Sequence, residues 1–287
     1  MALPGPPPKV FDRDLIARHL RRRPASRDDF VMRMVLADLD ERLGTVTRSF
    51  EKALLLSPDA AALPNAGRSA DGPFTFARAA TVLAGDGVPL VDPEALDLPS
   101  RDYDLIVSLF DLDVVDDVPG FLARIRAHLR GDGLFLAAAI GGDSLTELRE
   151  AFLAADLEIS GGAYLRVAPF IPLADAAGLL QRAGFALPVS DIETHIVRYS
   201  SPLGLMQELK ALGASNPLAE RPQRLAGKRL IGAAAGAYDR LASDPDGRVR
   251  ATLDIIWMSG WAPHASQQKP LRPGSAEISL TKVLGQN

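Results

Sequence analysis

The strongest constraint on the fold is a pair of short apolar runs, Leu105-Ile106-Val107-Ser108-Leu109-Phe110 and Leu134-Phe135-Leu136-Ala137-Ala138-Ala139-Ile140. Neither alternates with polar residues, so each is expected to bury both faces, as parallel strands do. Val118 to Leu129 between them reads as a helix, followed by the turn Gly131-Asp132-Gly133. Strand, helix and strand in that order make the unit of a parallel sheet with right-handed crossovers.

The rest of the chain extends this pattern. Ala53-Leu54-Leu55-Leu56 reads as a buried strand cut off by Ser57-Pro58-Asp59, and Thr81-Val82-Leu83 and Val88-Pro89-Leu90-Val91 are further short apolar runs. In the second half, helices are expected over 144–156, 173–181, 203–212 and 230–241. Ile192 to Tyr199 should be a half-exposed strand, and Thr252 to Met258 a strand lying antiparallel beside it. The fold class is therefore α/β, an open doubly wound sheet. Before the sheet, residues 11–23 read as a short charged helix. Ser26 and Asp29 signal a helix start, and Val31, Val35, Leu39 and Leu43 recur every fourth residue up to Gly44. We divide the chain into an N-terminal helical extension, 1–48, and a main domain, 49–287, with a helical insertion at about 202–243.

Composition narrows the function classes. The 287 residues are 47% hydrophobic and 24% charged, which excludes disorder over most of the length. A net charge of −4 argues against a nucleic-acid binder. The absence of cysteine excludes disulfides, thiolate metal sites and cysteine nucleophiles together. His19, His128, His195 and His264 are too scattered to suggest a metal centre, and none is expected. No apolar run is long enough to span a membrane, although peripheral contact stays open. Arg21-Arg22-Arg23 lies among Asp12, Asp14, Asp28 and Asp29, and reads as a solvated helix face rather than a transit peptide. The expected compartment is the cytoplasm.

In an open α/β sheet, ligands bind beyond the carboxyl ends of the strands. Leu56 to Asn65 follows the first strand and contains no glycine, so backbone there cannot approach a nucleotide-type cofactor closely. Asp111, Asp113, Asp116 and Asp117 follow the middle strand, and a solvated acidic loop is weighed against a carboxylate magnesium site. Trp257 and Trp261 share one strand face as core or pocket lining.

Several longer motifs carry a family resemblance. Gly141-Gly142-Asp143-Ser144-Leu145 with Glu147-Leu148-Arg149 is one, and Gly161-Gly162 with Arg166-Val167-Ala168-Pro169-Phe170 another. Arg182-Ala183-Gly184-Phe185 is a third. The fourth comprises Gly260-Trp261, His264, Ser266-Gln267, Pro270 and Gly274-Ser275-Ala276. With these motifs the chain resembles the arginine-hydroxylase assembly factors of respiratory complex I, a family similar to the malonyl-carrier-protein methyltransferases of biotin synthesis.

The resemblance implies a Rossmann-like, seven-stranded class I methyltransferase fold whose last strand is antiparallel. It implies S-adenosylmethionine as cofactor, a complex I subunit as partner, and Ser57, Asp59, Arg78, Asp92 and Ser108 on the cofactor side. Asp143, Arg149, Arg166 and His264 are the implied catalytic candidates. Departures accompany it: Ser57-Pro58-Asp59-Ala60-Ala61 stands in place of the glycine loop, Arg78 in place of the ribose-binding acid, and Asp113-Val114 in place of a His-Trp pair. Asp59 would set negative charge near the cofactor's carboxylate unless a cation or proton intervenes.

Each candidate has a plainer reading: a helix cap for Asp143, ion pairing with Asp143 or Glu147 for Arg149 and Arg166, and a structural hydrogen bond for His264. The expectation is that Asp143, Arg166 and His264 line one pocket, with Gln267 and Trp261 on its wall. That pocket would suit an anionic or carbonyl-bearing group facing Arg166, or a guanidinium facing Asp143. Two functions remain open here: a role in complex I assembly or modification with a degenerate cofactor site, or an active methyltransferase on a small molecule or side chain. A scaffold without ligand is a third.

Overall fold

The computed structural model describes residues 8–26, 28–222 and 226–268. Asp12 accepts the amide of Leu15 at 3.0 Å and opens α1 (Arg13–Arg21). The second helix, α2 (Phe30–Gly44), is capped by Asp29 on the amide of Met32 at 3.1 Å, so Asp29 rather than Ser26 marks its start. β1 (Ala53–Asp59) is buried throughout. A 3-10 turn, Ala60–Ala62, then leads into a hairpin of β2 (Ala66–Ser69) and β3 (Gly72–Leu83). β4 (Tyr103–Leu109), a 3-10 turn at Asp111–Asp113, α3 (Val118–His128) and β5 (Leu129–Ile140) form the central unit. After them come α4 (Thr146–Ser160), α5 (Leu173–Arg182), β6 (Ala186–Tyr199), α6 (Pro202–Ala211), α7 (Lys228–Ala242) and β7 (Val249–Trp261).

The sheet order is β2-β3-β1-β4-β5-β7-β6. β3, β1, β4 and β5 are mutually parallel, and β7 runs antiparallel between β5 and β6. The expected central pair is present, with Val107 opposite Leu136, and β7 lies where the sequence placed its last strand. Gly131-Asp132-Gly133, expected as a turn, lies within β5. The run Val88 to Val91 makes only an isolated parallel bridge, Leu90 to Ala80.

Alternate residues of the parallel strands feed two cores. Leu54, Leu56, Ile106 and Phe135 pack with Phe121, Leu122 and Ile125 of α3 and Leu180 of α5. Leu55, Leu105, Val107 and Trp257 pack on the other side with Val35, Leu39 and Leu43 of α2. Those three α2 side chains are at most 1% exposed, each worth ~1.5–3 kcal/mol of burial.

One connection departs from the doubly wound plan. Parallel strands are usually joined through a crossover helix. Between β1 and β3 there is none, only the 3-10 turn and the short β2. The glycine loop is missing together with the helix that would follow it.

Candidate functional site

The register brings the carboxyl ends of β1, β4 and β5 to one rim of the sheet. A cavity of about 560 Å³ opens there. Ser57, Pro58 and Asp59 from β1, Asp113 and Val114 after β4, and Ile140 at the end of β5 form its floor. Side chains of α1, α4 and α6 and the Arg166–Phe170 segment wall it. Most of the lining is apolar, including Ile16, Leu20, Phe110, Leu148, Phe170 and Leu205.

The charge on Asp59 has a partner from outside the sheet. Arg23, just beyond α1, forms an ion pair with it, the two side chains only 8% and 10% exposed. Asp59 also accepts the amide of Ala61 at 3.1 Å and so shapes the 3-10 turn. Arg23 thus belongs to the cavity wall and not to a solvated arginine face. The position beyond β1 is filled by this pair and by the buried side chain of Ala60. A β-carbon on Gly85 would come within 3.2 Å of the Ala60 β-carbon, so the space is already packed. Residues of this kind do not fit a close backbone cradle for S-adenosylmethionine.

The acidic loop after β4 is not a solvated face. Asp111 is fully buried and accepts hydrogen bonds from the hydroxyls of Thr81 at 2.6 Å and Ser108 at 2.7 Å. Burial, opposed in part by those hydroxyls, pushes its carboxyl up to about 7. Asp113 accepts the amide of Ile140 at 3.1 Å and reaches the cavity wall. Burial pushes it up to about 8, with the neighbouring Asp111 adding in the same direction. Asp116 accepts the amides of Val10 and Phe11, and Asp117 caps α3. Among the described residues no group of three or more His, Asp or Glu could hold a metal ion.

The remaining cofactor-side candidates lie apart from the cavity. Arg78 is in mid-strand opposite Leu55 and donates to the carbonyl of Leu63 at 3.1 Å. The acid following that strand is Asp86, in the turn from Gly85 to Val88, which the apolar run ending at Leu83 could have signalled. Asp92 is exposed, pairs with Arg13 at 2.8 Å and accepts the amide of Glu94. Ser108 is buried beneath the rim, against Asp111.

The expected joint pocket of Asp143, Arg166 and His264 does not form. Arg166 does line the cavity, but its guanidinium is held by Asp156 of α4 through two hydrogen bonds of 2.6 and 2.7 Å, not by Asp143 or Glu147. Asp143 is exposed in the turn before α4 and caps nothing with its side chain; Leu145 is the N-cap residue. Arg149 donates to the carbonyl of Ser144 at 3.3 Å.

His264 lies at the opposite rim, because β7 runs antiparallel. Ile255 is opposite Ile140 near the carboxyl rim, while Trp261 is opposite Leu134, six residues further on. At ~3.3 Å per residue this separates the two pairs by roughly 20 Å. Beyond Trp261, Gln267 donates to Asp132 at 3.0 Å, and His264 covers Gly131. Trp257 and Trp261 belong to the α2-side core, under the guanidinium groups of Arg42 and Arg48. Pro270 and Gly274-Ser275-Ala276 lie outside the described residues.

The motifs around Gly141 and Gly260 prove to be sites of close packing, whereas Gly161 and Gly162 have open space where a β-carbon would stand. A β-carbon on Gly141 would meet that of Asp254 at 2.6 Å, and one on Gly260 would meet that of Phe185 at 2.9 Å. Ser144 exchanges hydrogen bonds with the backbone of Asp254, and Glu147 accepts from the amide and hydroxyl of Thr252. These contacts bind the start of α4 to β7 and set one wall of the cavity.

No family model matches the chain. It is 36% identical over 194 residues to the arginine-hydroxylase NDUFAF5, mitochondrial, of Danio rerio, covering 68% of this chain and 60% of that protein. To the human protein of the same name it is 37% identical, covering 68% and 56%. To the malonyl-[acyl-carrier protein] O-methyltransferase of Laribacter hongkongensis it is 36% identical over 199 residues, covering 69% and 62%. The chain thus spans about three fifths of the length of these relatives. Among solved structures it is similar to the YcgJ protein of Bacillus subtilis, with a TM-score of 0.49 at 12% identity over 81% of this chain and 100% of that one. The chain is a homologue of NDUFAF5-type arginine-hydroxylases and of malonyl-[acyl-carrier protein] O-methyltransferases, built on the methyltransferase fold.

Proposed function

We propose that the protein acts in the assembly or modification of a respiratory complex I subunit, through a methyltransferase-type cavity whose S-adenosylmethionine site is degenerate. One observation carries this reading: the β1–β3 connection has neither glycine loop nor helix, and the Arg23–Asp59 pair fills the place beyond β1. A cofactor entering there would have to break a buried ion pair. It would also lack the helix N–H groups that ordinarily face an anionic ligand. The names of the relatives support the partner side of the reading. We place the protein in the cytoplasm; among the described residues no helix is long and apolar enough to cross a membrane.

Calorimetric titration of S-adenosylmethionine into the purified protein tests the cofactor half. Affinity should be at least ~tenfold below that of the Laribacter hongkongensis relative, a difference of about 1.4 kcal/mol. Tight stoichiometric binding would overturn this half and favour an active methyltransferase. Affinity purification of a tagged chain tests the partner half: complex I subunits should co-purify, and their absence refutes the assignment.

A further inference from the structure

We propose that the cavity at the carboxyl rim binds an uncharged, largely apolar small molecule carrying a carbonyl oxygen, and that Asp113 donates the hydrogen bond that recognises it. This goes beyond the assembly reading, since it concerns a ligand of the cavity and holds whichever protein the surface engages.

Size and lining set the class of ligand. A cavity of about 560 Å³ is in the ordinary range for small-molecule sites, ~300–1,000 Å³. Its apolar walls leave few places for polar groups, and the charged side chains on them among the described residues are Arg23, Asp29, Asp59, Asp113, Arg166 and Lys210. Arg23 is matched by Asp59, and Arg166 by both oxygens of Asp156. Asp29 is engaged as the cap of α2, and Lys210 is exposed at the edge of α6. Among the described residues an anion inside would therefore meet no guanidinium without its own carboxylate, and it would lose its hydration as well.

Asp113 is the exception on this wall. It has no cationic partner among the described residues, its neighbour Asp111 is a buried acid, and the Ile140 amide lies 3.2 and 3.1 Å from its two oxygens. A carboxyl so placed keeps its proton near neutrality. The shared amide is then accepted by the unprotonated oxygen, and the O–H of the other is a donor for a group in the cavity that Asp113 lines. In an apolar site that donor needs an acceptor, and a neutral carbonyl supplies one without bringing in charge.

Displacement of Nile red, a neutral fluorescent ketone, from the purified 287-residue chain tests this with three competitors of matched chain length. At pH 6.5, 2-decanone should displace the dye at several-fold lower concentration than decane, and at least ~tenfold lower than decanoate. Raising the pH to 9 should abolish the preference for the ketone over decane. Asp113→Asn keeps a donor and cannot titrate, so it should retain that preference at both pH values. Asp113→Leu should lose it at both; should that variant fail to fold, the Asn variant and the pH profile decide the matter. Leu205→Trp, which fills the cavity, should remove dye binding while the circular dichroism spectrum is unchanged. Equal competition by ketone and decane in the wild type, preference for decanoate, or no saturable dye binding would each overturn the proposal. Co-purification of complex I subunits is scored separately, so failure here leaves the assembly reading standing.

Discussion

A buried acid that keeps its proton well above the usual carboxylate range makes stability depend on pH in a direction opposite to that of most carboxylates. Asp111 has an ordinary carboxyl value of 3.8 when unfolded and about 7 when folded. Between those values the unfolded chain releases the proton while the folded chain keeps it, so stability falls as pH rises and levels off above about 7. Integrated from pH 5 to 8, the loss from this one group is about 2–3 kcal/mol, at ~1.36 kcal/mol per unit. Asp113 has the same sign over a window reaching about 8. His19 has the opposite sign: burial and nearby arginines lower it, so it adds stability as pH rises through its range. The informative quantity is therefore a difference between proteins. Asp111→Asn keeps a side chain able to meet Thr81 and Ser108 but cannot ionise. Urea unfolding at constant ionic strength should show the variant gaining on the wild type by about 2–3 kcal/mol between pH 5 and pH 8. A variant-minus-wild-type difference that stays constant across that range would refute the buried-acid argument.

Asp156→Ala leaves the Arg166 guanidinium without its buried partner and should cost ~3–5 kcal/mol, read as a lowered denaturation midpoint. Asp59→Leu or Arg23→Met alone should be strongly destabilising, whereas the double variant should be much closer to the wild type; additive losses in the cycle would show that the pair is not a unit. Phe121→Ala empties a fully buried position under the sheet and should lower stability by ~3–5 kcal/mol in thermal or urea unfolding. His264→Ala should leave dye binding in the cavity unchanged, since it covers Gly131 at the far rim; a large loss would show that the two rims communicate.

What could be read from the sequence follows from how local each signal is. The central strands were legible because Leu105–Phe110 and Leu134–Ile140 are apolar on both faces, which only a covered parallel strand requires. The stripe Val35, Leu39 and Leu43 likewise needs a surface to cover and finds the sheet. The site was less legible, because its chemistry is made by residues far apart in the chain. Arg23 reaches Asp59 across 36 positions, and Thr81 reaches Asp111 across 30. Nothing in the run Asp111 to Asp117 distinguishes a buried acid from a solvated one, since what buries Asp111 lies on other strands. His264 is placed at the other rim by the very direction expected for β7: an antiparallel strand that passes the cavity near Ile255 leaves it by Trp261, so a motif following it cannot fold back to the carboxyl rim.

The retained motifs and the lost loop have a common explanation in where each acts. Gly141, Ser144 and Glu147 bind α4 to β7, and Gly260 admits Phe185 against β7, so any change there opens a gap between elements. Those positions are constrained by packing whether or not a cofactor binds. In the arrangement that the resemblance implies, residues 57–62 would carry a glycine loop. Without it, a chain that removes the loop must still dispose of the end of β1, and an acid there needs a counter-charge. Arg23 supplies it from the segment just beyond α1, which makes the N-terminal segment part of the cavity wall.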